Sequence, residues 1–170
     1  MLPDSTARLR FRPMTPPDLD DIADLLSDPD VMHFYPAPKS RADATAWITW
    51  NEDNYAAHGY GLWIIETLDG EFVGDCGLTS QDVNGIPLLE VGYHVRVAFQ
   101  GRGLATEAAA ACRDFARDHT DAAELAAITH PENRASQRVA EKIGMHRIDD
   151  DLGGNIALRF VFSMTLDTVR

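Results

Sequence analysis

Cysteine is scarce in this chain: Cys76 and Cys112 are the only two among 170 residues, far apart and in no CxxC pattern. That excludes a disulfide framework and a cysteine zinc site, and makes a reducing cytoplasm the expected compartment. Long apolar runs are lacking too. No stretch approaches the ~18 consecutive apolar residues of a membrane span, and the first fourteen residues, MLPDSTARLRFRPM, contain neither an apolar h-region nor a cleavage pattern. No membrane association and no signal peptide are expected. Basic residues are outnumbered, 15 Lys and Arg against 27 Asp and Glu, for a formal charge of −12. Nucleic-acid binding needs clustered cations to displace counterions, so it is not expected either. Acidity of this kind is first of all a solvated surface and, secondarily, favours cationic small molecules. No His, Asp and Glu group has metal-ligand spacing, so no metal is expected.

With 45% hydrophobic and 25% charged residues, the composition is that of a globular protein, and the length suits one domain over residues 1–170. Leu9 to Phe11 reads as a short strand. Thr15-Pro16-Pro17-Asp18 opens a helix whose apolar face is Leu19, Ile22, Leu25 and Leu26, and Asp28-Pro29 stops it. A second helix starts at Ser40, with Asp43 at the capping-box position, and ends at Gly59. Strands are expected over 60–68 and 71–78 about an Asp69-Gly70 turn, then over 88–97 after the turn at Asn84-Gly85. An alanine-rich helix follows from Leu104. After it come a strand at 124–130, a helix capped by Asn133 from Arg134 to about Ile143 with Gly144 beyond it, and strands at 145–149 and 156–166. The order β-α-α-β-β-β-α-β-α-β-β implies an α+β fold: one mixed sheet with helices on both faces.

The segment Gln100-Gly101-Arg102-Gly103-Leu104-Ala105-Thr106 joins a strand to a helix through two glycines. Glycine tolerates positive φ and lets a ligand approach the backbone, while the first helical turn offers unpaired N–H groups and a partial positive charge. Together they suit a phosphate or pyrophosphate, with Arg102 placed to add charge. A tight strand-to-helix connection that binds nothing would use the same glycines. A Walker loop is excluded because Gly-Lys-Ser/Thr is absent. A dinucleotide fingerprint is disfavoured because Thr106 stands where a third glycine belongs.

The pattern Gln100-x-x-Gly103-x-Ala105 resembles the pyrophosphate motif of the GNAT superfamily of N-acyltransferases. Asn133-Arg-Ala-Ser136 followed by Glu141-Lys142-Ile143-Gly144-Met145 is similar to the signature of the branch that acetylates ribosomal-protein N-termini. So are Asp28-Pro29-Asp30-Val31-Met32 and Gly77-Leu78. The resemblance implies about seven mostly antiparallel strands, splayed between the fourth and fifth, with about four helices. It implies acetyl-CoA as cosubstrate and a primary amine as acceptor: a protein N-terminal α-amine or a small molecule, attacking directly in a ternary complex. Polyamine or aminoglycoside acceptors, and a catalytically silent acyl-CoA-binding domain, are the alternatives. A monomer or a homodimer is compatible with all of these.

By the same resemblance, Tyr93, His94 and Val95 offer main-chain groups to the pantetheine. Gly101, Arg102, Gly103, Leu104, Ala105 and Thr106 hold the pyrophosphate, and Asn133 contacts the cofactor arm. Glu90, on the same strand side as Gly92 and His94, is the candidate base. Deprotonating a lysine-like amine at pH 7 costs ~4–5 kcal/mol and an α-amine only ~1–1.5 kcal/mol, so an N-terminal acceptor needs only a weak base. Histidine as a residue type suits proton transfer near neutral pH, but the backbone role of His94 is the main assignment. Ser136 is the candidate hydrogen-bond donor to the departing thiolate, because Ala140 stands where many relatives carry a tyrosine. Met32, His33, Phe34 and Tyr35, with Trp47, Trp50 and Trp63, are candidates for an acceptor wall, although such aromatics more often pack in a core. Cys76 is expected to be a small apolar filler.

Overall fold

The computed structural model describes residues 1–167; the last three residues of the expected domain lie outside the described part. Seven strands form one sheet: β1 (Leu9–Arg12), β2 (Leu62–Thr67), β3 (Phe72–Val83), β4 (Ile86–Val95), β5 (Glu124–Thr129), β6 (His146–Asp151) and β7 (Arg159–Thr165). Their order is β1-β2-β3-β4-β5-β7-β6. Among the described residues only the β4–β5 pair is parallel. Helices α1 (Leu19–Ser27) and α2 (Arg41–His58) pack on one face; α3 (Leu104–His119) and α4 (Arg134–Lys142) pack on the other. The expected α+β architecture with seven strands and four helices is what the chain adopts.

Two cores explain the layers. Ile22, Leu25 and Leu26 of α1 meet Ala44 and Ile48 of α2 over Leu62 and Ile64. Ala108, Cys112 and Phe115 of α3 cover Trp63, Cys76, Leu78 and Val91 on the other side. Each fully buried leucine or isoleucine adds about 1.5–3 kcal/mol of apolar burial. Caps fix the helix ends. The Ser40 hydroxyl accepts the Asp43 amide at 3.1 Å, while Asp43 receives the Ser40 amide at 2.8 Å. Gly59 closes α2 in the left-handed region. The first helix departs from expectation at its start: Pro16–Asp18 form a 3-10 turn and the α-helix proper begins at Leu19.

The third strand is longer than its composition suggests. Thr79, Ser80, Gln81 and Asp82 are polar and read as the beginning of a loop. The two-residue turn at Asn84 (φ 51°) and Gly85 (φ 84°) nevertheless pairs Val83 with Ile86, and that register carries the polar run into the ladder. Thr79 thereby pairs with Glu90, Gly77 with Gly92, and Asp75 with His94. Gly77 is required for space: a Cβ there would lie 2.0 Å from the Gly61 carbonyl oxygen. β4 ends at Val95, two residues earlier than expected, because Val97–Phe99 fold into a 3-10 turn leading to the glycine segment.

Candidate functional site

β4 and β5 pair at only two positions, Leu89 with Leu125 and Glu90 with Ala126, and then part. The gap opens into a cleft of about 760 Å³. The glycine turn lies at one end, the first turn of α4 along one side, and the segment between α1 and α2 opposite.

The turn has the geometry its sequence suggests. Gly101 (φ 73°) and Gly103 (φ 78°) are both left-handed, and Gly103 is the N-cap of α3. The first intrahelical bond of α3 runs from the Glu107 amide to the Gly103 carbonyl at 3.1 Å, so the preceding amides face the cleft mouth unpaired within the helix. Gln100 anchors the turn through its Nε2, which donates to the Val95 carbonyl at 2.9 Å. A second brace was not legible in the sequence: Arg8 pairs with Glu107 at 2.7 Å and donates to the Arg102 carbonyl at 2.9 Å. Burial works to raise the Glu107 pKa, but the Thr6 and Arg8 hydrogen bonds prevail and hold it below the ordinary carboxylate value.

Gly101, Gly103, Leu104, Ala105 and Thr106 line the cleft, as do Tyr93, His94, Val95 and Asn133. Arg102 does not; its guanidinium lies 5.6 Å from the Phe99 ring. On β4, the His94 amide already donates to Asp75 at 3.1 Å and the Val95 carbonyl already accepts from Gln100. Of the three residues expected to bind through the main chain, Tyr93 is the one without such a side-chain partner. Asn133 caps α4, its Oδ1 accepting the Ser136 amide at 3.1 Å.

Glu90 is half-buried and lines the cleft beside the splay. Desolvation by the protein around it pushes its pKa up to about 7. A 3.2 Å hydrogen bond from Thr79, the charge of Arg159 and the Ile128 amide pull weakly the other way. Ser136 is brought against Tyr93: their hydroxyl oxygens are 2.8 Å apart, and the Tyr93 hydroxyl also donates to the Ser136 carbonyl at 3.1 Å. A phenol therefore stands beside Ser136 although position 140 is alanine. Burial raises the Tyr93 pKa, keeping it a neutral donor. The sequence held no signal for this, because the contact joins residues 43 positions apart across the splay.

The aromatic candidates divide. Met32 (2% exposed) and Trp63 (1% exposed) belong to the two cores, whereas Phe34, Tyr35, Trp47 and Trp50 line the cleft. Between them sits a group to which the sequence assigned mainly a backbone role. The His94 Nδ1 is 2.8 Å from the Asp75 carboxylate, whose other oxygen receives the Trp47 indole N–H at 3.3 Å. The His94 Nε2 is buried without a hydrogen-bond partner among the described residues, an arrangement that ordinarily costs about 1–3 kcal/mol. Cys76 and Cys112 meet as buried thiols, Sγ to Sγ 3.6 Å, packed in the core under α3. Among the described residues there is no cluster suited to a metal ion and no helix long and apolar enough to cross a membrane.

Comparison with known proteins gives this cleft a context. The acetyltransferase (GNAT) domain family matches residues 8–146. The uncharacterized protein YkkB of Bacillus subtilis (strain 168) is 41% identical over 143 residues, 83% of each chain. The acetyltransferase from Agrobacterium tumefaciens str. C58 superposes with a TM-score of 0.81 at 26% identity, covering 95% of this chain and 92% of that one. RimL, a ribosomal L7/L12 alpha-N-protein acetyltransferase solved in complex with coenzyme A, superposes with a TM-score of 0.82 over 99% of this chain and 100% of its own. At 14% identity that likeness is one of fold.

Proposed function

The chain belongs to the GNAT acetyltransferase family and is an acyltransferase; from that premise we propose that it carries an acetyl group from acetyl-CoA to a primary amine, by direct attack in a ternary complex. Residues 1–170 act as one catalytic unit, and the acceptor is a peptide or protein N-terminal α-amine or a small-molecule amine.

One observation carries this reading. The same cleft joins an anion cradle at the start of α3 to a carboxylate poised near neutrality, with the parted edge of β4 between them. The α3 amides and the two left-handed glycines suit the pyrophosphate. The pantetheine then lies along β4, past Tyr93, with Asn133 beside the arm. That direction brings the thioester towards Gly92, which has no side chain to obstruct it, two residues from Glu90. Glu90 accepts a proton from the acceptor nitrogen, directly or through water. Ser136 donates a hydrogen bond to the leaving sulfur, where negative charge develops, and Tyr93, whose single proton is engaged by Ser136, holds that serine in place.

An acceptor screen that follows CoA release tests the proposal, with acetyl-CoA as donor and peptide α-amines, monoamines, polyamines and aminoglycosides side by side. Turnover with at least one class is expected. Tight CoA binding with no release across the whole panel would instead indicate a domain that binds acyl-CoA and does not react it.

A further inference from the structure

Between ammonium and amide the acceptor nitrogen loses two protons, one before it attacks and one after. Glu90 accounts for one of them. A second group in the cleft has the chemistry for the other, and no cofactor contact explains its arrangement.

Asp75 of β3 is fully buried and faces His94 of β4 across the ladder. One carboxylate oxygen meets both the His94 Nδ1 (2.8 Å) and its amide (3.1 Å), and the other receives the Trp47 indole. The ring is thereby fixed with Nδ1 towards the interior. The opposite nitrogen, Nε2, has no hydrogen-bond partner among the described residues, on a residue 7% exposed that lines the cleft. Glu90 and His94 stand two residues to either side of Gly92, on one face of the strand. The rings of Tyr35 and Trp47 lie 5.3 and 5.9 Å from the imidazole, centroid to centroid. Tyr35 belongs to no regular helix or strand and is 42% exposed, so it can give way to an entering group. Aromatic faces attract a cation.

We propose that His94, positioned by Asp75, is a catalytic base of the acceptor site and takes the first proton from a primary alkylammonium that enters between Tyr35 and Trp47. The inference rests on the acyl-transfer reading given above. The ammonium N–H bond breaks and its proton moves to Nε2. The Nδ1–H of the resulting imidazolium is already donated to Asp75, whose charge balances it. The freed lone pair forms the bond to the thioester carbon. The C–S bond then breaks with its electrons on sulfur, and the second N–H proton passes to the Glu90 carboxylate. Asp75, from β3, and Glu90, from the same strand as His94, favour the imidazolium. Lys39, 5.4 Å over the Trp47 ring, opposes it, and Tyr35 and Trp47 are neutral.

The test uses the intact protein, with His94→Gln and Asp75→Asn, an amine that passes the acceptor screen, and 2-phenylethylamine as the probe for the aromatic walls. His94→Gln is expected to lower kcat about 100-fold, leave CoA affinity by calorimetry within about twofold (~0.4 kcal/mol), and remove one ionisation from the pH profile of kcat/KM. Asp75→Asn should move that ionisation to lower pH. In the unaltered protein, saturating 2-phenylethylamine should shift the 15N resonance of His94 Nε2, a readout independent of whether either variant folds. A His94→Gln enzyme with undiminished kcat and an unchanged pH profile would overturn the inference while leaving acyl transfer intact. So would an Nε2 resonance indifferent to bound amine. An unaltered protein that binds CoA but releases none with any amine would instead sink the acyl-transfer reading itself.

Discussion

The two ends of the cleft are built from different materials. The end formed by Gly101 to Thr106 is main chain from one short contiguous segment, held by positive φ values and the start of a helix. The other end is side chains gathered from four places: Phe34 and Tyr35 between α1 and α2, Trp47 and Trp50 from α2, Thr79 from β3, and Glu90 and His94 from β4. A backbone cradle suits a constant ligand, because amides and dipoles recognise any pyrophosphate. A wall of side chains can change from one protein to the next without disturbing the fold. On the proposed reading, one end therefore reports the shared cosubstrate, and the other sets which acceptor is used.

Breaking the cradle should have the largest effect. Gly103→Asp puts a carboxylate in the proposed pyrophosphate site, and CoA affinity is expected to fall about 10³-fold, ~4 kcal/mol by calorimetry. Normal CoA binding by that variant would show that the turn is only a connection. Changing the acceptor end should leave CoA affinity alone and act on turnover. Glu90→Gln is expected to lower kcat about 100-fold. In the unaltered enzyme the rate should rise with pH through about 7, because the proposed base works only when ionised; the variant should lose that limb. Stability sharpens the same point. The folded pKa of Glu90 lies above its unfolded value near ~4.3, so its charge opposes folding increasingly as pH climbs towards 7. Glu90→Gln should raise Tm relative to the unaltered protein at pH 8 and lose most of that advantage at pH 5.

Ser136→Ala removes the proposed donor to the sulfur, and Tyr93→Phe removes the hydroxyl that holds it in place. Each should slow turnover about tenfold, ~1.4 kcal/mol, and the double variant should fall short of the product of the two because the hydroxyls touch. Additive effects would mean that they act separately. The smallest effect on activity is expected outside the cleft. Glu66, 6% exposed, is another sheet glutamate, but it meets Arg10 and Arg12 at 2.9 and 2.6 Å. Burial works to raise its pKa, and the hydrogen bonds from Arg12 and Arg10 prevail and hold it below the ordinary value. Its stabilisation is complete above the unfolded pKa and is lost as pH falls through the folded one. Glu66→Gln should cost about 2 kcal/mol of stability at pH 7, less at pH 3 by denaturant titration, with kcat unchanged.

Much of this was legible in order along the chain. The capping box at Ser40, the Gly59 stop, the Asn84-Gly85 hairpin and the alanine-rich α3 are local signals, and each element lies within a few residues of its expected span. The overrun of β3 to Val83 was not legible, because polar residues resemble a loop until a partner strand fixes their register. The acceptor end was only partly legible. Glu90 could be placed on its strand face by the period of two, but its raised pKa comes from burial in the packed fold, which outweighs the opposing pull of Thr79, Arg159 and the Ile128 amide. Trp47 and Trp63 look alike in the sequence, yet one faces the cleft and the other fills the core.

The sequence by itself determined the order of elements, the glycine turn and the family, since caps, turns and helix starts depend on neighbours along the chain. Tertiary structure alone decided the partners across it: Asp75 with His94, Tyr93 with Ser136, Arg8 with Glu107. The physical reason is range. A backbone conformation is set by residues a few positions apart, whereas a proton's affinity for a side chain is set by whatever burial, charge and hydrogen bonds the packed fold brings to it.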